Sequence, residues 1–136
     1  MADEATIRRL LERYFEFVGA DVERAEELYH DDAVLEFPQS GERFEGRAAF
    51  TAWRGQYPVG ADDMRYRLLR QTIREDFAVT ELTASYDRGE NWLFGVQVAD
   101  FRDDKIIRER IYVAEGWEAP EWRAGWRSAT PSDPPA

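Results

Sequence analysis

Two side chains able to move protons stand out by the company they keep. Ile7, Leu10, Leu11, Tyr14, Phe15 and Val18 recur at helical spacing between Asp3 and Val18, so the Tyr14 phenol lies on an apolar helix face, where a buried hydroxyl needs a partner. Far along the chain, strand alternation groups Glu109 with Ile111 and Val113. Apolar surroundings disfavour the charged form of a carboxylate, which suits such a group to proton transfer near neutrality. A phenol donor and a carboxylate acting on one carbonyl are the minimum for enolisation. Each residue also has a plainer reading. Tyr14 can be a core tyrosine bonded to a neighbour, and Glu109 a partner for Arg54, Arg108 or Arg110.

Other chemistries are closed off by composition. The 136 residues include no cysteine and one histidine, which removes disulfides, thiolate nucleophiles and zinc centres, so no metal and no cofactor is expected. His30 stands beside Asp31 and Asp32, too local to form a buried dyad, and reads as a surface or hinge residue. Ser40 and Ser85 lack a base, and the single lysine, Lys105, follows the turn residues Asp103 and Asp104. With 28 acidic against 18 basic residues the net charge is -10, so no nucleic acid and no anionic membrane is expected as a partner. Arg65, Arg67, Arg70 and Arg74 read as a solvated face more readily than as an anion site. The acidic start, Met1 to Glu4, is unlike a secretion signal, and the expected location is cytoplasmic.

These residues have to be positioned by regular elements. A first helix over Asp3 to Val18 ends at Gly19, and Asp21 caps a short second helix with Val22, Ala25, Leu28 and Tyr29 on one side. Ala33 to Phe37 reads as a strand stopped by Pro38, followed by a brief extended piece at Arg43 to Glu45. A third helix after Gly46 presents Ala49, Phe50, Trp53 and Tyr57 before Pro58 and Gly60. The period then becomes extended. Strands are predicted at Met64 to Arg74, Phe77 to Asp87, Asn91 to Arg102 and Lys105 to Ala114, joined by tight turns into a meander. Residues 1–127 form one α+β domain, and Ser128 to Ala136, rich in proline and without a large apolar residue, is predicted to be a disordered tail.

The run Leu28-Tyr29-His30-Asp31-Asp32-Ala33-Val34-Leu35-Glu36-Phe37-Pro38, continuing through Gly41 to Gly46-Arg47, resembles the SnoaL-like branch of the nuclear-transport-factor-2-like superfamily, as does Glu118-Ala119-Pro120-Glu121-Trp122-Arg123. The resemblance implies a cone-shaped α+β barrel, with N-terminal helices packed in a curved antiparallel sheet around an apolar cavity. It also implies an oxyanion-stabilising tyrosine at Tyr14. Ketosteroid isomerases of this superfamily carry carboxylates where this chain has Phe37 and Ala99, and epoxide hydrolases and polyketide cyclases carry an acid near Ile111. None of the three mechanisms transfers directly.

If Phe37 and Ala99 face the cavity, alternation sends Gln97 and Phe101 inward with them, whereas a bulge would exchange Glu109 for Arg110. The site expected on this reading has Tyr14 and Glu109 as catalytic groups, with Gln97 orienting a small, largely apolar organic ligand. Phe37, Trp53, Trp92, Phe94 and Ile111 line it. A non-catalytic binding or scaffolding module is the competing class. A homodimer is expected through the convex sheet face, where Trp92, Phe94, Val96 and Val98 or their alternates are too apolar for water, and Trp117, Trp122 and Trp126 read as packing or dimer contacts.

Overall fold

The computed structural model describes residues 3–17, 22–56 and 63–128. Helix α1 (Glu4–Phe17) is capped by Asp3, whose carboxylate accepts the Thr6 N–H at 2.8 Å and is held below the usual carboxylate range by that bond. Its apolar stripe buries Ile7, Leu10, Leu11 and Tyr14. Helix α2 (Val22–Glu26), strand β1 (Tyr29–Phe37), strand β2 (Glu42–Glu45) and helix α3 (Arg47–Arg54) follow. Four long strands complete the order: β3 (Arg65–Arg74), β4 (Phe77–Ser85), β5 (Leu93–Arg102) and β6 (Lys105–Glu115), before a short 3-10 helix (Glu121–Trp126).

One curved six-stranded sheet results, ordered β2-β1-β6-β5-β4-β3. The meander forms as the sequence predicts, because Glu75 and Asp103 take left-handed backbone (φ 52° and 58°) at the tight turns before β4 and β6. The sheet is not wholly antiparallel. Strand β1 runs parallel to β6, closing the sheet with a strand from the other end of the chain.

The second helix is shorter than its apolar spacing predicts. The Leu28 carbonyl accepts the Ile106 N–H at 2.9 Å and Tyr29 pairs with Ile106, so the backbone here belongs to the sheet. A register shift follows between Tyr29 and Val34, which is why His30-Asp31-Asp32 has a loop-like composition inside a strand. His30 is therefore a strand residue, and its Nε2 lies 2.6 Å from the Arg102 carbonyl, to which an N–H at that nitrogen donates. Gly46, at φ 91°, turns the chain from β2 into α3 while its N–H bonds the Ala33 carbonyl at 2.8 Å, which seats α3 over β1. The predicted helix ends at Gly19, Asp21, Tyr57, Pro58 and Gly60, and the predicted tail beyond Ser128, lie outside the described residues.

Cross-strand pairing lays side chains in rows on the inner face. One row runs Ile73, Ala78, Ala99, Glu109 and Leu35; the next runs Gln71, Thr80, Gln97 and Ile111. Alanine at 78 and 99 leaves room for the side chains of α1 to pack over the sheet.

Candidate functional site

Glu109 is fully buried at the middle of β6. The irregularity in β6 pairing falls between Asp100 and Phe101 on the partner strand, so Glu109 keeps the inward face and Arg110 the outward one. Three donors converge on its carboxylate. Tyr29, at the start of β1, donates its phenol to Oε1 at 2.5 Å; Gln97, on the adjacent strand, donates from Nε2 to Oε2 at 2.6 Å. Arg54, the last residue of α3, brings Nη2 to 3.6 Å from Oε1 and donates from Nη1 to the Tyr29 oxygen at 3.2 Å. Tyr14 faces the same carboxylate from α1: burial first, then the Glu109 charge, raises its phenol well above the usual range. Burial likewise raises Tyr29 far above its ordinary value. Both phenols are therefore donors, and the groups that touch the Glu109 carboxylate give it hydrogen bonds or positive charge.

Arg54 is held as tightly as the acid. Its guanidinium carbon sits 5.5 Å from the Tyr29 ring centre, 5.7 Å from Phe50 and 5.6 Å from Trp53. Burial opposes its charge, but Tyr29, Tyr14 and Glu109 outweigh it and hold its pKa above the usual arginine value. A second acid lies nearby. Glu26 of α2 is buried, and desolvation raises its carboxyl above the ordinary range against the opposing pull of Thr51, Arg54 and Arg47.

Of the residues expected in the site, Tyr14, Gln97 and Glu109 meet in this network. Phe37, Trp53 and Ile111 pack at its edge, where Phe37 and Trp53 rings stand 5.9 Å apart and Phe44 stacks on Trp53 at 5.5 Å. Two expected wall residues are elsewhere. Phe94 is 41% exposed on the outer face, because alternation fixes it opposite to Gln97. Trp92 precedes β5, and its indole N–H donates to the Gly89 carbonyl at 3.1 Å, tying it to the β4–β5 turn. Two members of this network escaped the sequence reading. The spacing of Tyr29 is helical and Arg54 reads only as a rim partner; the pairing of β1 with β6 that brings Tyr29 to Glu109 leaves no local signal in the sequence.

Ser40 bonds Glu42 and the Phe37 carbonyl, and Ser85 bonds Asp87, so both serines serve turns. Among the described residues no cluster of His, Asp and Glu is arranged to hold a metal ion.

The sequence pattern of the SnoaL-like domain matches residues 7–109. The chain belongs to the SnoaL-like family. No curated protein matches it significantly, but solved structures do. An NTF-2 like protein of unknown function from Burkholderia xenovorans shares 30% identity over 94% of this chain and 98% of its own, with a TM-score of 0.80. A proposed ketosteroid isomerase from Kribbella flavida shares 25% identity over 98% and 96%, with a TM-score of 0.83. A Mycobacterium tuberculosis epoxide hydrolase, similar in fold at 18% identity and a TM-score of 0.68, covers 81% of this chain and 84% of its own. The NTF2-like architecture of this SnoaL-like chain is thereby established, and its neighbours include isomerase-like and hydrolase-like proteins.

Proposed function

We propose that this SnoaL-like protein takes a small, largely apolar carbonyl compound against the inner face of its sheet and moves a proton on it without a cofactor. The observation that carries this reading is the fully buried Glu109 carboxylate, faced by two phenols, an amide and a guanidinium. In this scheme Glu109 accepts the proton from the carbon beside the ligand carbonyl, the electron pair of that C–H bond becomes the carbon–carbon double bond of the enolate, and the carbonyl π pair moves onto the oxygen. Tyr14 turns its O–H from Glu109 to the developing oxyanion, and Glu109 returns the proton at another carbon. Arg54, Tyr29 and Gln97 hold the carboxylate in place. The isomerase-like neighbours support the choice of reaction class, whereas the apolar Phe37, Ala99 and Ile111 exclude copying any one relative's acid positions.

A second reading is favoured by one observation: both Glu109 oxygens already have partners. On that reading the network is a rigid floor and the protein binds its ligand without turnover. Ligand-induced shifts separate the first step of either reading from no binding at all. A 15N-labelled sample titrated with 2-tetralone, an apolar enolisable ketone, should shift the Gln97 side-chain amide and the Trp53 indole signals; unchanged signals at millimolar ketone contradict the proposed site.

The same reading includes a cytoplasmic homodimer. It is supported by the outer sheet face, where Phe77, Phe94 and Tyr112 are exposed alongside half-buried Val79, Val96 and Val98. No described helix is long and apolar enough to cross a membrane.

A further inference from the structure

The inner row next to Glu109 carries three buried polar atoms that nothing among the described residues satisfies: Gln71 Nε2, Thr80 Oγ1 and Gln97 Oε1. They are register neighbours on three adjacent strands, Gln71 opposite Thr80 and Thr80 opposite Gln97, so one inward row presents all three. Thr80 is fully buried and Gln97 is 2% exposed. Gln97 has its amide nitrogen committed to Glu109, which leaves its oxygen aimed away from the acid as an acceptor. Unsatisfied polar atoms in a buried interior are costly, and three in one row call for an occupant.

The set is chemically mixed. An amide N–H offers a donor, an amide oxygen an acceptor, and a threonine hydroxyl either; a single hydroxyl group, itself donor and acceptor, satisfies them together. Thr80 stands on β4, two strands from Glu109 on β6, which is roughly 10 Å across the sheet. We infer that Gln71, Thr80 and Gln97 form a second polar subsite, which recognises a hydroxyl on the ligand at the end remote from the carbonyl that Glu109 serves. This rests on the proposed function and narrows it to hydroxyketones about the length of two fused six-membered rings. Access to the row requires the side chains above it to move aside when the ligand enters.

The test compares two ketones that differ by one hydroxyl, 2-tetralone and 6-hydroxy-2-tetralone, by isothermal titration or ligand-observed NMR on the intact protein. The wild type should bind the hydroxyketone about tenfold more tightly, and Thr80→Val, which keeps the side-chain shape, should reduce that ratio to about one. Gln71→Met provides the same comparison should Thr80→Val fail to fold. Equal affinities in the wild type, or a preference that survives both variants, overturn the subsite while leaving the proposed function standing. Binding of neither ketone overturns both.

Discussion

Tyr29 donates its phenol hydrogen bond to Glu109 at 2.5 Å from a position 80 residues earlier in the chain, and Arg54 contacts both members of the pair. Strand β1 contributes the phenol, β6 the acid and α3 the cation, so three elements close on one buried charge. Removing that charge leaves Arg54 nearly enclosed without the carboxylate it pairs with. Glu109→Gln should destabilise the protein by about 3–5 kcal/mol in urea unfolding. The double variant Glu109→Leu with Arg54→Met should lose less than this, because both charges leave the interior together. A single variant within about 1 kcal/mol of wild type would show that water reaches the pair.

Glu26 responds to pH in the opposite sense to a surface ion pair. Its folded pKa is raised by burial above its unfolded value, so its contribution to stability is fully present below the ordinary carboxylate range and is lost as pH rises through the folded value. Thr51, Arg54, Arg47 and Glu109 all face it, and the three partners other than Glu109 limit the penalty without reversing it. Glu26→Gln should therefore gain stability relative to wild type as pH increases from about 4 to about 7.5. Urea midpoints at the two pH values measure this; a difference that shrinks with rising pH contradicts it.

Trp53 joins α3 to the β1–β2 edge through Phe37 and Phe44. Its replacement by alanine removes a ring packed on two others and one of the three surfaces on which Arg54 rests. Thermal or urea unfolding of Trp53→Ala should register a loss of about 3 kcal/mol, the lower part of the range for a large aromatic because the indole is only half-buried. A loss below about 1 kcal/mol would mean that the indole borders open space.

Much of this architecture was readable from periodicity. The stripe of α1, the long alternating strands and their short turns follow from spacing alone, whereas the inward face of Gln97, Ala99 and Glu109 needs the family resemblance as well, because alternation groups residues without saying which group is inside. Tyr29 was not readable in the same way. Its spacing from Val22, Ala25 and Leu28 is helical, and the competing claim on its backbone comes from Ile106, which no local pattern reveals. Phe94 illustrates a different limit: it stands three positions before Gln97, so the two share a face only if a bulge separates them, and the β4–β5 register runs through both without one.

The outer face should hold two copies together. Phe94 at 41% and Tyr112 at 37% exposure lie on the sheet surface away from the helices. Light scattering at micromolar concentration should give twice the 15.9 kDa chain mass, and Phe94→Glu should shift it toward one chain. A wild-type monomer contradicts the pairing.

Proton transfer at Glu109 is the central claim, and isotope exchange reads it directly. Incubated with 2-tetralone in deuterium oxide, the wild type should incorporate deuterium beside the carbonyl faster than buffer at the same pH, as followed by proton NMR. Folded Glu109→Gln should fall to the buffer rate, while Glu109→Asp, which keeps a carboxylate at a greater distance, should retain a reduced part of the acceleration. Exchange at the buffer rate in the wild type, or acceleration that survives Glu109→Gln, would contradict a proton-transferring Glu109.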